Sequence, residues 1–495
     1  MRVLQHRLPR VGNAPELAHF VGGRFQRSTG GDFLLDLNPS EPADVVALVP
    51  EGTPDDVDAA VAAAVAALPA WRRATGAARA EFLHRWAASV ADRAEELAQA
   101  MSREVGKPIA EARGEAARAV MILRYYAGEA VRRIGEVIPA QAAGALQLTL
   151  RQPLGVVALV TPWNFPLAIP LWKAAPALAF GNTVVLKPAE ASSRVATLLA
   201  ETAAAAGLAA GAFNVLLGAG RSAGAALLRH PAVAGVSFTG SAAVGAAVAA
   251  GAAARNLRFQ TEMGGKNAAI VAADADLDLA ADLVASGAMR YAGQKCTATS
   301  RAVVVRQALE PFLSRLQRRI AALPLGPVTD PGAAIGPLIS EAARGRALAA
   351  VETAETSARR IAGGAPPDDP RFARGYFLTP TVLADVPPDS PLAKDELFAP
   401  VLAVLAADDL EDAIDLANRT AYGLSATLFT RDLASALAYV QRIEAGMVRV
   451  NGDTTGVDPH APFGGVKGSS SGSREQGPAA REFYTELKTV QIHPG

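Results

Sequence analysis

Among 495 residues there is one cysteine, Cys296. A lone thiol closes no intramolecular disulfide and joins no multi-thiolate metal site, so it is either an inert core filler or a nucleophile. It lies in Gly293-Gln294-Lys295-Cys296-Thr297-Ala298, between a helical pattern from Asp276 to Met289 and a strand-like stretch that begins near Arg301. Loops between rigid elements commonly present reactive groups. A second candidate is Glu262, which opens Glu262-Met263-Gly264-Gly265-Lys266-Asn267. Two following glycines leave room for close backbone approach and a mobile side chain. If buried, such a carboxylate is pushed toward neutrality and suits a general base acting on water; a satisfied structural glutamate is the alternative. Asn164, in Thr161-Pro162-Trp163-Asn164-Phe165-Pro166, brings a neutral N–H donor in a rigid loop. With a backbone amide it could stabilise an oxyanion, although isolated loop asparagines also serve as turn formers.

Other stretches have the composition of phosphate and ribose seats. Gly240-Ser241-Ala242-Ala243-Val244-Gly245 follows a strand and opens a helix, a setting that holds pyrophosphate or makes an ordinary N-cap. Gly218-Ala219-Gly220-Arg221-Ser222-Ala223-Gly224 has the same setting with GxGxxxG spacing, and its glycines are also explained by tight packing alone. Lys187-Pro188-Ala189-Glu190 ends a strand with a cation and a carboxylate three apart. The carboxylate suits both hydroxyls of an adenosine ribose and would repel a 2′-phosphate; a plain surface pair is the alternative.

The elements that must position these residues follow from pattern. Short strands 33–37 and 45–49 precede Thr53-Pro54-Asp55-Asp56, which reads as a helix start with capping hydroxyl, proline and first-turn acids. Three long helical patterns, about 54–72, 77–104 and 108–134, follow, and their charges read as solvated faces. From Leu154 short apolar strands (155–160, 183–186, 213–217, 233–238, 257–261) alternate with helices (167–179, 193–206, from 222, from 241). This rhythm predicts a parallel α/β sheet with ligands beyond the carboxyl ends of its strands. A second α/β unit has helices 276–289, 308–321, 340–358, 410–418 and 433–444 with strands 301–305, 377–386, 400–406, 425–430 and 447–451. The closing strand from Lys488 and the alternating 145–151 segment are candidates for pairing across subunits.

Bulk properties exclude several classes. Lys+Arg and Asp+Glu are both 48, and aromatic residues make up 5%, which disfavours a nucleic-acid surface. With 50% hydrophobic and 19% charged residues the chain has a soluble globular balance, and its length predicts two or three domains. The charge-free run Gly155–Trp172 is interrupted by Pro162, Pro166 and Pro170 and is rejected as a membrane span. Met1–Arg7 lacks a signal-peptide core, and a cytoplasmic protein is expected, although one cysteine is equally consistent with a periplasm. The six histidines (6, 19, 84, 230, 460, 493) are dispersed, so no metal site is expected.

Taken together the segments resemble the NAD(P)-dependent aldehyde dehydrogenase superfamily. The matches, in the family's order, are the stretches 161–166, 187–190, Phe238-Thr239-Gly240-Ser241, 262–267 and Gly293–Cys296, then Glu396-Leu397-Phe398-Ala399-Pro400 and Pro462-Phe463-Gly464-Gly465. The resemblance implies an α/β fold with two parallel-type domains and a small oligomerisation arm. The cofactor-binding domain would comprise 1–132 and 153–262, the catalytic domain 263–465, and the arm 133–152 and 475–495 of a homo-dimer or homo-tetramer. It implies Cys296 as nucleophile and an oxyanion held by Asn164 and the Cys296 backbone N–H. Hydride transfer would leave a thioester, hydrolysed by water that Glu262 activates. Lys187 and Glu190 would hold the adenosine ribose, Gly240 and Ser241 the pyrophosphate, and Glu396 the nicotinamide ribose with Phe398 beside the ring. Trp163 and Gly220 belong to the same cofactor seat. Glu190 favours NAD, and NADP is admitted if that side chain swings aside.

Six residues before the nucleophile stands Arg290, where succinate-semialdehyde dehydrogenases place an arginine on a substrate carboxylate. A structural ion pair at the helix end is the alternative. The tail from Lys467 and the stretches 482–489 and 123–129 resemble the 2-oxoglutarate-semialdehyde (2,5-dioxopentanoate) dehydrogenase branch. Arg132 is a weaker candidate for a second carboxylate contact. The expected reaction is oxidation of 2,5-dioxopentanoate to 2-oxoglutarate. Oxidation of succinate semialdehyde or a broad range of aldehydes is the alternative. CoA-acylating chemistry is opposed by Glu262, and a non-catalytic role by Cys296, Glu262 and Asn164 together.

Overall fold

A computed structural model describes residue 12 and residues 14–493; Met1–Arg7, with His6, lies outside the described residues. Thr53 and Asp56 form a reciprocal capping box, which fixes the start of helix Pro54–Arg73 where the sequence places it. The stretch expected as one helix over 77–104 is two, Gly76–Asp92 and Ala94–Val105. The break is Arg93, at φ −108° and ψ 16°, whose guanidinium bridges Glu96 and Glu201. Periodicity cannot reveal it, because the apolar pattern continues across the corner. The next helix, Ile109–Glu129, stops short of 134, just after Gly128, where the chain turns into the arm.

Eight strands form the first sheet, in the order Arg24–Gln26, His19–Val21, Phe213–Val215, Thr183–Lys187, Val156–Val160, Val233–Thr239, Arg258–Glu262, Ser470–Ser471. Its middle five are parallel. The direction of winding reverses between Val156–Val160 and Val233–Thr239, and ligands gather at the carboxyl ends beside such a reversal. Helix Ala168–Ala179 is buried along its whole length, so the apolar run Gly155–Trp172 is core strand, loop and core helix. Among the described residues no helix is long and apolar enough to cross a membrane.

The second sheet has seven strands: Arg359–Ala362, Thr381–Ala384, Val401–Ala407, Thr299–Val305, Asn267–Val271, Ser425–Phe429 and Met447–Val450. All but the first are parallel. Helix Glu341–Ala354 and strand Thr381–Ala384 are shorter than the expected 340–358 and 377–386, since propensity continues beyond the last paired residue. The helix expected from Ser222 begins as an irregular turn, Gly220–Gly224, and becomes regular over Ala225–Arg229. Only residues 263–266 separate the end of Arg258–Glu262 in one sheet from the start of Asn267–Val271 in the other. The carboxyl edge of the first sheet is thereby joined to the amino edge of the second.

The closing strand Thr485–Ile492 and the segment Leu146–Pro153 pair with each other, antiparallel from Thr485 with Pro153 to Ile492 with Leu146, and Val137–Ile138 adds a third strand. The closing strand remains at the edge of this sheet, with its second side unpaired among the described residues.

Candidate active site

Cys296 is reached through an unusual piece of backbone. Tyr291, Ala292 and Gly293 have φ of 55°, 52° and 66°, three successive left-handed residues, and each non-glycine there costs roughly 1–2 kcal/mol. The surroundings hold them. The Tyr291 N–H donates to Ala334 O at 3.0 Å, its buried ring meets Phe165 edge-on, and Lys107 lies over its face. A Cβ on Gly293 would collide with Ala399 O. Gln294 is fully buried, donates to Pro337 O at 3.1 Å and accepts from Ile339 N–H at 2.9 Å.

The Asn267 amide then donates to Cys296 O and Ala298 O, both at 2.8 Å, and accepts from Ser425 N–H at 3.0 Å. This brace stands inside a recognised motif, but only the folded chain gives it a role. Asn267→Ala should lower kcat about tenfold or more, because it strands two carbonyls beside the nucleophile and frees the sulfur to drift. The thermal midpoint should fall with it. An unchanged kcat would mean that the loop holds its shape without the amide.

Asn164 is buried, and one of its amide hydrogens is fixed on Gln294 O at 3.0 Å, leaving the other to point elsewhere. It lines the same cavity as Cys296. Burial pushes the Cys296 thiol up, and the nearby carboxylates of Glu396 and Glu262 add to this, while the Thr297 backbone N–H opposes it. The resting group is therefore the protonated thiol.

Glu262 is 1% exposed. Its Oε2 accepts from the Ser470 hydroxyl at 2.6 Å, and its buried Oε1 has no partner. Burial first, then the charge of Glu475, pushes its carboxyl well above the ordinary range. Glu262 is turned toward Ser470 and Gly464, and it does not line either of the two cavities that Cys296 lines. The two glycines allow the close approach expected of them, while the Glu262 side chain is held by Ser470. A Cβ on Gly264 would run into the Glu396 carboxylate, and one on Gly265 would stand 3.1 Å from Cys296 O. They admit neighbours that sequence spacing could not indicate.

All eight expected cofactor residues meet in one cavity of about 460 Å³ beyond the carboxyl ends of the first sheet, with Cys296 in the same lining. Ser241 precedes helix Ala242–Ala253 without capping it through its side chain, which leaves the first-turn N–H groups to a ligand. A Cβ on Gly220 would meet nothing, whereas one on Gly218 would collide with Glu51 O. The first glycine serves packing and the other faces the cavity.

Lys187 is buried, which rules out the plain surface pair, and its ammonium stands 3.9 Å from Glu190 Oε1 and donates to Pro188 O at 2.6 Å. Glu190 also accepts from Gly220 N–H at 2.8 Å. Glu396 accepts from Gly265 N–H at 3.2 Å, and burial pushes its carboxyl up to about 7. Phe398, at φ 56°, packs edge-on against Trp163 with ring centres 5.7 Å apart. Hydroxyl acceptors, free helix amides and an aromatic wall suit a dinucleotide.

A second cavity, of about 410 Å³, reaches Cys296 from the other side. Arg290 lines it and forms no ion pair among the described residues, so the structural ion pair is not realised. Arg132 is different. It pairs with Glu129 at 2.7 Å, is 67% exposed and stands outside the cavity, so the second contact expected of it is not made. The same wall holds residues that the sequence reading passed over. Ala110, Glu111, Gly114, Glu115 and Arg118 recur at helical spacing on Ile109–Glu129 and face the cavity. Charges read as a solvated helix face are here a site wall. The signal was an arginine among small residues on one stripe, which periodicity alone does not separate from a surface.

A braced thiol between a dinucleotide-shaped cavity and a second, charged one fits an aldehyde-oxidising enzyme. The aldehyde dehydrogenase family matches residues 25–490, and the chain belongs to that family. It is 42% identical to the alpha-ketoglutaric semialdehyde dehydrogenase of Bacillus subtilis (strain 168), over 96% of this chain and 98% of that one. It is 38% identical to the 2,5-dioxopentanoate dehydrogenase of Saccharolobus solfataricus, over 93% and 96%. The NAD-dependent aldehyde dehydrogenase from Sinorhizobium meliloti shares its fold with TM-score 0.94 at 37% identity, covering 98% of this chain and 97% of that one.

Proposed function

We propose that this chain oxidises 2,5-dioxopentanoate to 2-oxoglutarate with NAD, through a thioester on Cys296. One observation carries the substrate side: a single cavity holds Cys296 together with Arg290 and Arg118, both free of ion pairs among the described residues. The names of the Bacillus and Saccharolobus relatives point the same way. Cys296, once deprotonated, adds to the aldehyde carbon, and the oxyanion takes N–H donors from Asn164 and the Cys296 backbone. Bound NAD supplies the hydride acceptor. Glu262 takes a proton from the water that attacks the thioester, which releases the carboxylate and restores the thiol.

Lys187 and Glu190 hold the adenosine ribose, Gly240 and Ser241 the pyrophosphate, and Glu396 the nicotinamide ribose, with Phe398 at the ring and Trp163 and Gly220 completing the walls. Glu190 is 45% exposed, so it can swing aside for NADP. Residues 1–132 and 153–262 form the cofactor domain, 263–465 the catalytic domain, and 133–152 with 475–495 an arm joining a homo-dimer or homo-tetramer. Exposed Val137, Leu487 and Ile492 on the arm sheet support that role. Cytoplasmic residence completes the reading.

The test is kcat/KM for 2,5-dioxopentanoate, succinate semialdehyde and pentanal, with NAD and with NADP. The wild type should favour the semialdehyde acids. Arg290→Ala should raise their KM about tenfold or more, the worth of a charge-assisted hydrogen bond, while pentanal changes little. A wild type that prefers pentanal would sink the carboxylate reading.

A further inference from the structure

Three groups on the wall of the 410 Å³ cavity, Arg118 among them, have no defined ligand atom. Arg118 is half-buried, and the nearby carboxylates on its helix are engaged elsewhere. Glu111 pairs with Lys295 at 3.0 Å. Glu115 pairs with buried Lys107 and accepts from the N–H groups of Leu167 and Ala168, both at 2.9 Å. Gly114, one turn before Arg118, would show a Cβ nothing within 4 Å, so the wall is open at that turn.

Gln476 is the second group. It is 1% exposed, and its buried Nε2 has no hydrogen-bond partner. Its backbone, at φ 58° and ψ 171°, occupies a region that is almost exclusive to glycine. The chain is pinned on both sides, by Glu475 and Phe463 exchanging backbone bonds at 2.8 and 2.7 Å and by Gly477 N–H on Pro459 O at 3.1 Å. A strained backbone and an unpaired buried amide are both costs to stability, which marks Gln476 as a site held for a ligand. Trp172 Nε1, also buried and unpartnered, is the third.

We infer that Arg118 joins Arg290 on the substrate carboxylate and that Gln476 Nε2 donates to the 2-oxo oxygen, so that the cavity recognises a 2-oxo acid and not merely an acid. The assignment rests on reading this cavity as the seat of a carboxylate-bearing aldehyde. A planar α-keto carboxylate presents three acceptor oxygens at one end, which two guanidinium groups and one amide match. A site whose buried N–H is satisfied only by the ketone discriminates against an analogue with CH2 there.

The test compares 2,5-dioxopentanoate, 5-oxopentanoate and pentanal, all five carbons long, as kcat/KM ratios within each protein. The wild type should prefer the oxo acid over 5-oxopentanoate by on the order of tenfold or more. In Gln476→Met, which keeps side-chain length, that ratio should collapse toward one, and in Gln476→Glu it should fall at least as far. In Arg118→Met the ratio of 5-oxopentanoate to pentanal should fall on the order of tenfold to a hundredfold.

For a variant too slow to assay, equilibrium binding of 2-oxoglutarate against glutarate gives the same ratio. The inference is overturned if Gln476→Met keeps the wild-type ratio, if Trp172→Phe rather than Gln476→Met abolishes it, or if Arg118→Met keeps its preference for acids. A wild type that prefers pentanal would instead defeat the underlying substrate reading.

Discussion

Cys296→Ser should leave the chain folded and reduce NADH formation with any aldehyde by about 10³-fold or more. The substitution is nearly isosteric, and the half-buried side chain contributes little packing, so stability should barely change. Chemistry should change greatly. A serine hydroxyl is a weak nucleophile at neutral pH, and no histidine lines either cavity to activate it. The resting thiol is itself pushed up by burial and by Glu396 and Glu262, so thiolate forms more readily as pH rises. Alkylation of the wild type without cofactor should therefore be slow at pH 7 and accelerate with each unit above it. Mass spectrometry of the protein mixed with aldehyde and NAD checks the covalent step: an acyl adduct on wild type and none on the serine variant. Retention of a tenth of the activity would remove Cys296 from the mechanism.

Glu262→Gln should separate the two halves of the reaction. Acylation by Cys296 needs no base at this position, so one equivalent of NADH should appear in a burst. The steady rate that follows should fall about 10²- to 10⁴-fold, the usual loss for a general base. The sign of the pH dependence follows from the raised pKa. Glu262 acts only when ionised, and burial and Glu475 hold it protonated to higher pH than an ordinary carboxyl. Deacylation in the wild type should therefore climb with pH through that raised value, where a surface glutamate would give a flat profile above about pH 5.5. The glutamine variant should lose this limb and accumulate a thioester detectable by mass. If its steady rate and profile match the wild type, Glu262 is only a structural partner of Ser470.

Much of the site could be read from residue types placed at strand ends. Asn164, Gly220, Gly240 and Ser241 follow strands of the first sheet and Lys187 ends one, and they converge because parallel strands present their carboxyl ends on one edge. Cys296 does not follow that rule. It precedes Thr299–Val305 and sits at the amino edge of the second sheet, brought opposite the first by the short 263–266 connection. Alternation of strands and helices specifies each sheet but not which edges face each other.

The sequence by itself determined the family and singled out the residues proposed as nucleophile and cofactor seat, because those depend on residue types in local strand–loop–helix settings. Tertiary structure decided what depends on distance between remote segments. Glu262 accepts from Ser470, Asn267 braces the Cys296 loop, and the closing strand pairs with Leu146–Pro153 of its own chain. It also placed Arg118, and not Arg132, on the cavity wall and brought Gln476 to the same wall. On a helix the two arginines look alike in sequence. Only the packing of neighbouring segments determines which of them faces solvent and which faces a cavity.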